Sequence, residues 1–186
     1  MQLYIKNMVC NRCITAVKNE LENVGLDVLS VELGEAEIAS EPSKGQLQEL
    51  NIALKVLGFG LINDRKSRMI EQIKNEIIYL VHHSGEVLNT NLSTWLADKL
   101  NYDYTYLSNL FSEVEGTTIE KYFIAQRIEK VKELLVYDEL SLSEIADALG
   151  YSSTAYLSSQ FKKVTGLTPT FFKSIKEKKR NKLDEL

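Results

Sequence analysis

Between Leu96 and Thr168 the chain says nearly the same thing twice, and this repeat narrows the available folds more than any other feature. Leu96-Ala97-Asp98-Lys99-Leu100-Asn101-Tyr102 returns 49 residues later as Ile145-Ala146-Asp147-Ala148-Leu149-Gly150-Tyr151. One residue is then inserted. At an offset of 50, Tyr106-Leu107-Ser108, Phe111, Val114, Gly116 and Thr118 come back as Tyr156-Leu157-Ser158, Phe161, Val164, Gly166 and Thr168. Each copy reads as a short helix, a tight break and a second helix carrying a Leu and a Phe four residues apart. That is the pattern of a helix-turn-helix. Two copies are too few for a solenoid.

Local signals agree with this reading. Ser141-Leu142-Ser143-Glu144 is a capping box, with a hydroxyl at the N-cap and a carboxylate three residues on. Gly150 stands where a left-handed residue should end the first helix of the second copy, and Asn101 can take that conformation in the first. Asp103 and Ser153 should cap the second helices, whose inward stripes are Leu107, Leu110 and Phe111, and Leu157 and Phe161. Short polar groups remain outward: Thr105, Ser108 and Asn109 in one, Thr154, Ser158 and Ser159 in the other. Such a surface can enter a major groove and hydrogen-bond base edges. A pair of ordinary helix hairpins with solvated faces is the plainer alternative, and the tandem arrangement weighs against it.

Residues from about Met69 to Lys176 resemble the DNA-binding domain of AraC/XylS-type transcription regulators. Leu107, Phe111, Ile145-Ala146, Gly150-Tyr151, Tyr156-Leu157, Phe161-Lys162 and Gly166-Leu167-Thr168-Pro169 carry the resemblance, and Tyr122 to Leu135 matches the family's central helix. The resemblance implies two helix-turn-helix units at the ends of that helix, reading neighbouring major-groove segments of double-stranded DNA. The candidate contacts are Tyr104, Thr105, Ser108 and Asn109 in the first unit. In the second they are Thr154, Ala155, Ser158 and Ser159, with Lys162 and Lys163 beside them. The family often carries Arg at the positions of Asn109 and Ser159. Base reading should therefore be weaker, or lean on DNA shape and on a second protomer.

The N-terminal third has a different period. A strand from Gln2 to Lys6, a helix after Cys13, a hairpin about Gly34, a helix opened by Ser43 and a last strand after Gly58-Phe59-Gly60 give the order β-α-β-β-α-β. Met8-Val9-Cys10-Asn11-Arg12-Cys13 lies where the first strand gives way to the first helix. Two sulfurs at this spacing can converge on one small ion, and a helix N-terminus favours their thiolate form. Soft thiolates suit Cu(I) and other soft cations, while a closed zinc site needs two more ligands. A thiol redox pair is the rival reading. His82 and His83 are read as capping a helix end.

In that context residues 1–64 resemble a heavy-metal-associated domain, the module of copper chaperones. The family motif, roughly Gly-Met-Thr-Cys-x-x-Cys, stands here as Asn7-Met8-Val9-Cys10-Asn11-Arg12-Cys13, so the Met and both cysteines match. The resemblance implies that Cys10 and Cys13 are the metal ligands, that Met8 packs beneath the loop and that Phe59 shields the sulfurs.

The expected fold class is α+β. A ferredoxin-like βαββαβ domain at 1–64 precedes an all-α domain at 65–186, with two helix-turn-helix motifs joined by a long helix. Asp64-Arg65-Lys66-Ser67-Arg68 is the expected boundary, and Met69 to Val81 a helix whose apolar face, widened by Ile78, could serve a homodimer. A formal charge of −4 is awkward for a DNA binder. However, residues 162–182 hold 8 Lys/Arg and one acid, including Lys178-Lys179-Arg180, so positive charge is gathered locally. No run of 18 apolar residues exists, and Met1 to Lys6 lacks a signal-peptide core, so the expected location is the cytoplasm, with no membrane partner expected. No phosphate-binding Gly loop or nucleophile–base pair points to an enzyme. The leading expectation is a metal-responsive transcription regulator. The alternatives are a copper chaperone or buffer whose helical half docks proteins, and a thiol redox regulator.

Overall fold

Leu3 and Ile5 alternate with Gln2, Tyr4 and Lys6, so an extended segment here has one apolar side. In the computed structural model, which describes residues 1–85, 87–88 and 90–177, this segment is β1 (Gln2–Lys6). It is followed by α1 (Asn11–Asn23), β2 (Val28–Glu32), β3 (Glu35–Ile38), α2 (Lys44–Val56) and β4 (Gly60–Ile62). The sheet runs β2-β3-β1-β4, and every neighbouring pair is antiparallel. Leu3 lies opposite Ala36, and both are buried in one core with Ile5, Val17, Leu21, Leu50 and Leu54, under α1 and α2. Ser43 caps α2 with the full reciprocal box to Gln46.

The opposite face of the sheet is not free. Tyr4 and Ile62 point there, toward α3 (Arg65–Ile78). Arg68 lies over the Tyr4 ring at 4.8 Å, and Asn75 Nδ2 donates to the Leu33 carbonyl at 3.1 Å. The charged stretch expected to link two domains is therefore the first turn of a helix. Asp64 is its N-cap, accepting from the Ser67 N–H at 2.8 Å. The carboxylate is held below its ordinary pKa, chiefly by that backbone donor. Ile78, expected to widen an apolar face, is buried within the chain.

Beyond α3 comes a π-helical turn, Tyr79–His83. Then follow α4 (Leu92–Leu100), α5 (Tyr104–Glu115), α6 (Ile119–Tyr137), α7 (Leu142–Ala148), α8 (Thr154–Thr165) and α9 (Pro169–Glu177). Two separate apolar clusters form. Met69, Ile70, Ile73 and Ile77 of α3 pack with Leu96, Leu107, Phe111 and Ile119, whereas Ile128, Val131 and Leu135 pack with Ile145, Tyr151, Leu157 and Phe161. The 19-residue α6 gives its first turn to one cluster and its middle and end to the other. Lys178-Lys179-Arg180 lies outside the described residues.

Candidate nucleic-acid interface and thiol loop

Each helix pair is set by a left-handed break. Asn101 has φ 54° and Gly150 φ 68°. At Gly150 a side chain would be doubly penalised, because a Cβ would stand 2.6 Å from Val87 Cγ1. The second helices then start on side-chain caps. Asp103 accepts from the amides of Thr105 at 2.9 Å and Tyr106 at 3.3 Å, and Ser153 accepts from Tyr156 at 3.1 Å. The pairs are thus alike in backbone and unlike in charge. The carboxylate of Asp103 sits at the N-terminus of α5, where an approaching phosphate would meet it, while α8 begins with a neutral hydroxyl.

Burying Leu107 and Phe111 on α5, and Leu157 and Phe161 on α8, forces the opposite sides outward. Thr105 and Asn109 are exposed, as are Ala155, Ser159, Lys162 and Lys163; Ser108, Thr154 and Ser158 are partly covered. These nine expected contacts fall on the outward side of the two second helices. Tyr104 is placed differently. It packs against the first core, and its hydroxyl donates to Glu120 at the start of α6, so it joins α5 to α6. Burial and that carboxylate push its pKa well above the ordinary phenol range.

Two acids near the end of α5 could repel phosphates, yet both are engaged. Lys66 meets Glu113 at 2.8 Å and Lys74 meets Glu115 at 2.7 Å, both across from α3. Two tyrosine pairs escaped the sequence reading. Tyr102 stacks on Tyr106 at 5.6 Å, and Tyr151 meets Tyr156 at 5.9 Å, each joining a turn to the helix after it. The signal was present, since all four recur within the repeat. Arg127 lies in the segment matched to the family's central helix, α6, and its contacts were not read from the sequence. It is half-buried over the Tyr151 ring at 3.7 Å and donates to the Leu149 carbonyl at the end of α7.

The thiol loop lies at the other end of the chain. Met8 is fully buried beneath it. Cys10 Sγ and Cys13 Sγ are 3.3 Å apart, both thiols free and partly exposed. The Cys10 thiol is held below its ordinary pKa, first by the Cys13 backbone N–H and next by the Cys13 thiol, with Arg12 adding to both. Asn7 has φ 71°, a conformation that Gly adopts freely and Asn tolerates. Its side chain donates to the Gly58 carbonyl at 2.8 Å and ties the loop to the α2–β4 turn. Two converging thiolates are a donor set fit for a soft, low-coordinate cation. Among the described residues no third His, Asp or Glu joins them, which does not fit a four-ligand zinc centre. Phe59 packs against the sheet core.

The histidines do more than cap a helix end. His82 Nε2 lies 3.0 Å from Gln126 Oε1 on α6, and His83 Nε2 lies 3.1 Å from the Val9 carbonyl in the thiol loop. No helix among the described residues is long and apolar enough to cross a membrane.

The family described as "Helix-turn-helix domain" matches residues 96–174. The HTH-type transcriptional regulator YtdP of Bacillus subtilis is 29% identical over 108 residues, covering 58% of this chain and 14% of that protein. The transcriptional regulatory protein YesN of Bacillus subtilis is 38% identical over 94 residues, covering 48% of this chain and 26% of that one. This chain therefore spans only a minor part of either relative's length. The C-terminal domain of AraT, a response regulator from Geobacillus stearothermophilus, superposes with a TM-score of 0.52 at 26% identity, over 64% of this chain and 93% of that domain. The DNA-binding domain of AdpA, solved with a target DNA, shares the fold at a TM-score of 0.50 and 21% identity, over 57% of this chain and 95% of that one.

Proposed function

We propose that the C-terminal part of this chain is an AraC-type helix-turn-helix DNA-binding domain, a reading supported by the matched family and relatives, and that the chain is a transcription regulator that binds duplex DNA with both helix pairs and senses a soft metal ion, Cu(I) foremost, at Cys10 and Cys13. The observation that carries the DNA half is the placement of two short-polar faces on α5 and α8 at the ends of one helix. Nineteen residues of α6 span about 28 Å, a length compatible with placing two reading helices near the spacing of one DNA turn, roughly 34 Å. The second pair carries more of the phosphate attraction, through Lys162, Lys163 and the neutral cap of α8. Replacing both lysines by Gln should lower the slope of log affinity against log salt by roughly 2. An unchanged slope in filter binding at several salt concentrations would remove α8 from the phosphate contact.

The order of strands and helices in the first unit supports reading it as a ferredoxin-like heavy-metal-associated module. So do the buried Met8 and the left-handed Asn7 at the family's Gly position. A bound soft cation would supply two sulfur–metal bonds that fix the loop. Cys10 and Cys13 would hold it, and the Cys13 backbone N–H in the first turn of α1 favours the thiolate of Cys10. The sensing reading requires the loaded and empty states to differ in DNA affinity, because an ion shifts a balance only by its differential affinity. Cys10→Ser with Cys13→Ser should leave DNA binding within about twofold of wild type and abolish its copper dependence. Equal copper response in the double variant would defeat the assignment. The close S–S approach also favours a second reading, a dithiol–disulfide switch. Copper titration under full reduction separates the two, since a redox switch needs no metal.

A further inference from the structure

We propose that His83 and His82 are positioning residues that hold the Cys10–Cys13 loop in register with α6, the helix carrying both DNA-reading units. The inference deepens the sensing reading above and rests on it for its function, although the link itself is a matter of contacts. Val9 immediately precedes Cys10, and its carbonyl can only accept, so His83 Nε2 carries the hydrogen at 3.1 Å. The next peptide carbonyl, that of Cys10, accepts the amides of Cys13 at 2.9 Å and Ile14 at 3.3 Å. The histidine therefore grips the backbone one residue from the thiol and one peptide from the hydrogen bonds that open α1.

Its neighbour reaches the other way. His82 Nε2 meets Gln126 Oε1 at 3.0 Å, and Gln126 lies in the first half of α6. Adjacent residues of a helix diverge by about 100°, so two histidines in sequence can serve two separate bodies. The π turn supports this placement. Ser84 N–H bonds to the Tyr79 carbonyl at 2.9 Å, an i to i+5 closure that re-aims the side chains at the end of α3. The shaft of α3 is meanwhile held against the N-terminal unit. Glu71 accepts the Asn7 N–H at 3.2 Å and Asn75 donates to Leu33. The helix end is thus a fixed post with one arm on each unit. A rearrangement at Cys10 is transmitted as a pull on His83, and a shift of α6 as a pull on His82.

The link is tested first in the reduced, metal-free full chain, by amide exchange at Cys13 and Ile14 measured by NMR. His83→Ala should speed exchange there roughly threefold to fivefold, the scale of one solvent-facing hydrogen bond. His83→Gln, which retains an N–H donor, should restore the wild-type rate. Gln126→Ala should act in the same direction, and the double variant His83→Ala/Gln126→Ala should be no faster than His83→Ala alone. Wild-type exchange in folded Gln126→Ala, or additive effects in the double variant, would overturn the proposal. The second measurement is the ratio of DNA affinities with and without one equivalent of Cu(I). His83→Ala should bring that ratio to within twofold of one while still binding one Cu(I) per chain by chelator competition. A ratio of one in the wild type, with the exchange effects intact, would sink copper sensing and leave the link standing. A large wild-type ratio that His83→Ala does not reduce would sink the link and leave sensing standing.

Discussion

Phe161→Ala should unfold the second helix pair while the first remains folded. Phe161 is fully buried, meets Phe172 edge-on at 5.6 Å, and shares its cluster with Tyr151, Leu157, Ile128 and Val131. Truncating a buried Phe costs about 3–5 kcal/mol. A small helical unit holds little more than that in reserve. The neighbouring cluster around Phe111 draws on α3, α4 and α5 and shares only α6 with it, so the loss should stay local. NMR spectra should keep dispersed signals from residues 65–118 and lose those from 140–175. Affinity for a full operator should fall by a factor of about 100 or more, because one of two reading surfaces disappears. Uniform unfolding of both pairs would show that they share one cooperative core. Full DNA affinity would show that the second pair does not touch the duplex.

Arg127→Ala should have the next largest effect, and by a different route. The guanidinium lies 3.7 Å from the Tyr151 ring centre and 5.4 Å from that of Phe123, and it satisfies the carbonyl of Leu149 at the end of α7. Burial pulls its pKa below the ordinary arginine value, yet a guanidinium remains charged at neutral pH. The side chain therefore fixes the angle between α6 and the second helix pair. Removing it forfeits a stacked contact and leaves a half-buried carbonyl without its donor, about 2–3 kcal/mol together. Thermal unfolding should drop by several degrees, and DNA affinity should fall roughly tenfold as the reading helices lose their relative setting. Arg127→Lys should not rescue either property, because an ammonium neither stacks as a plane nor forks. Rescue by Lys would reduce the role to charge alone.

What could be read from the sequence was what is decided locally. Asn101 and Gly150 end helices in the left-handed region, Ser43 and Ser141 form capping boxes with the residue three positions on, and Asp103 and Ser153 cap the reading helices, each settled within a few residues. The inward Leu and Phe stripes follow from helical period and are buried as expected. What the sequence left unread was decided at a distance. Asp64 to Arg68 looks like a linker because it is charged and lacks apolar residues. It is helical because Asp64 caps it and Met69 and Ile70 anchor its next turn in a core built from α4, α5 and α6. Tyr104 was read among the candidate DNA contacts, and its bond to Glu120, 16 residues on, has no local signal. The histidine contacts reach across 44 and 74 residues, beyond any local pattern. The thiol pair sits between these cases. The two cysteines are plain in the sequence, and the loop conformation that brings their sulfurs together depends on Asn7 and the turn at Gly58.

One consequence of the shared helix concerns rotational phase. Because α6 is a continuous rod with a reading unit fastened at each end, its residue count sets their relative azimuth as well as their distance. Adding a single residue near its midpoint would turn one unit by about 100° about the rod, pointing its outward face away from that of its twin. Four added residues would nearly restore the heading but lengthen the rod by about 6 Å, out of step with the duplex pitch. The rod is thus a gauge block, and evolution can retune either recognition surface far more freely than it can change the number of residues between them.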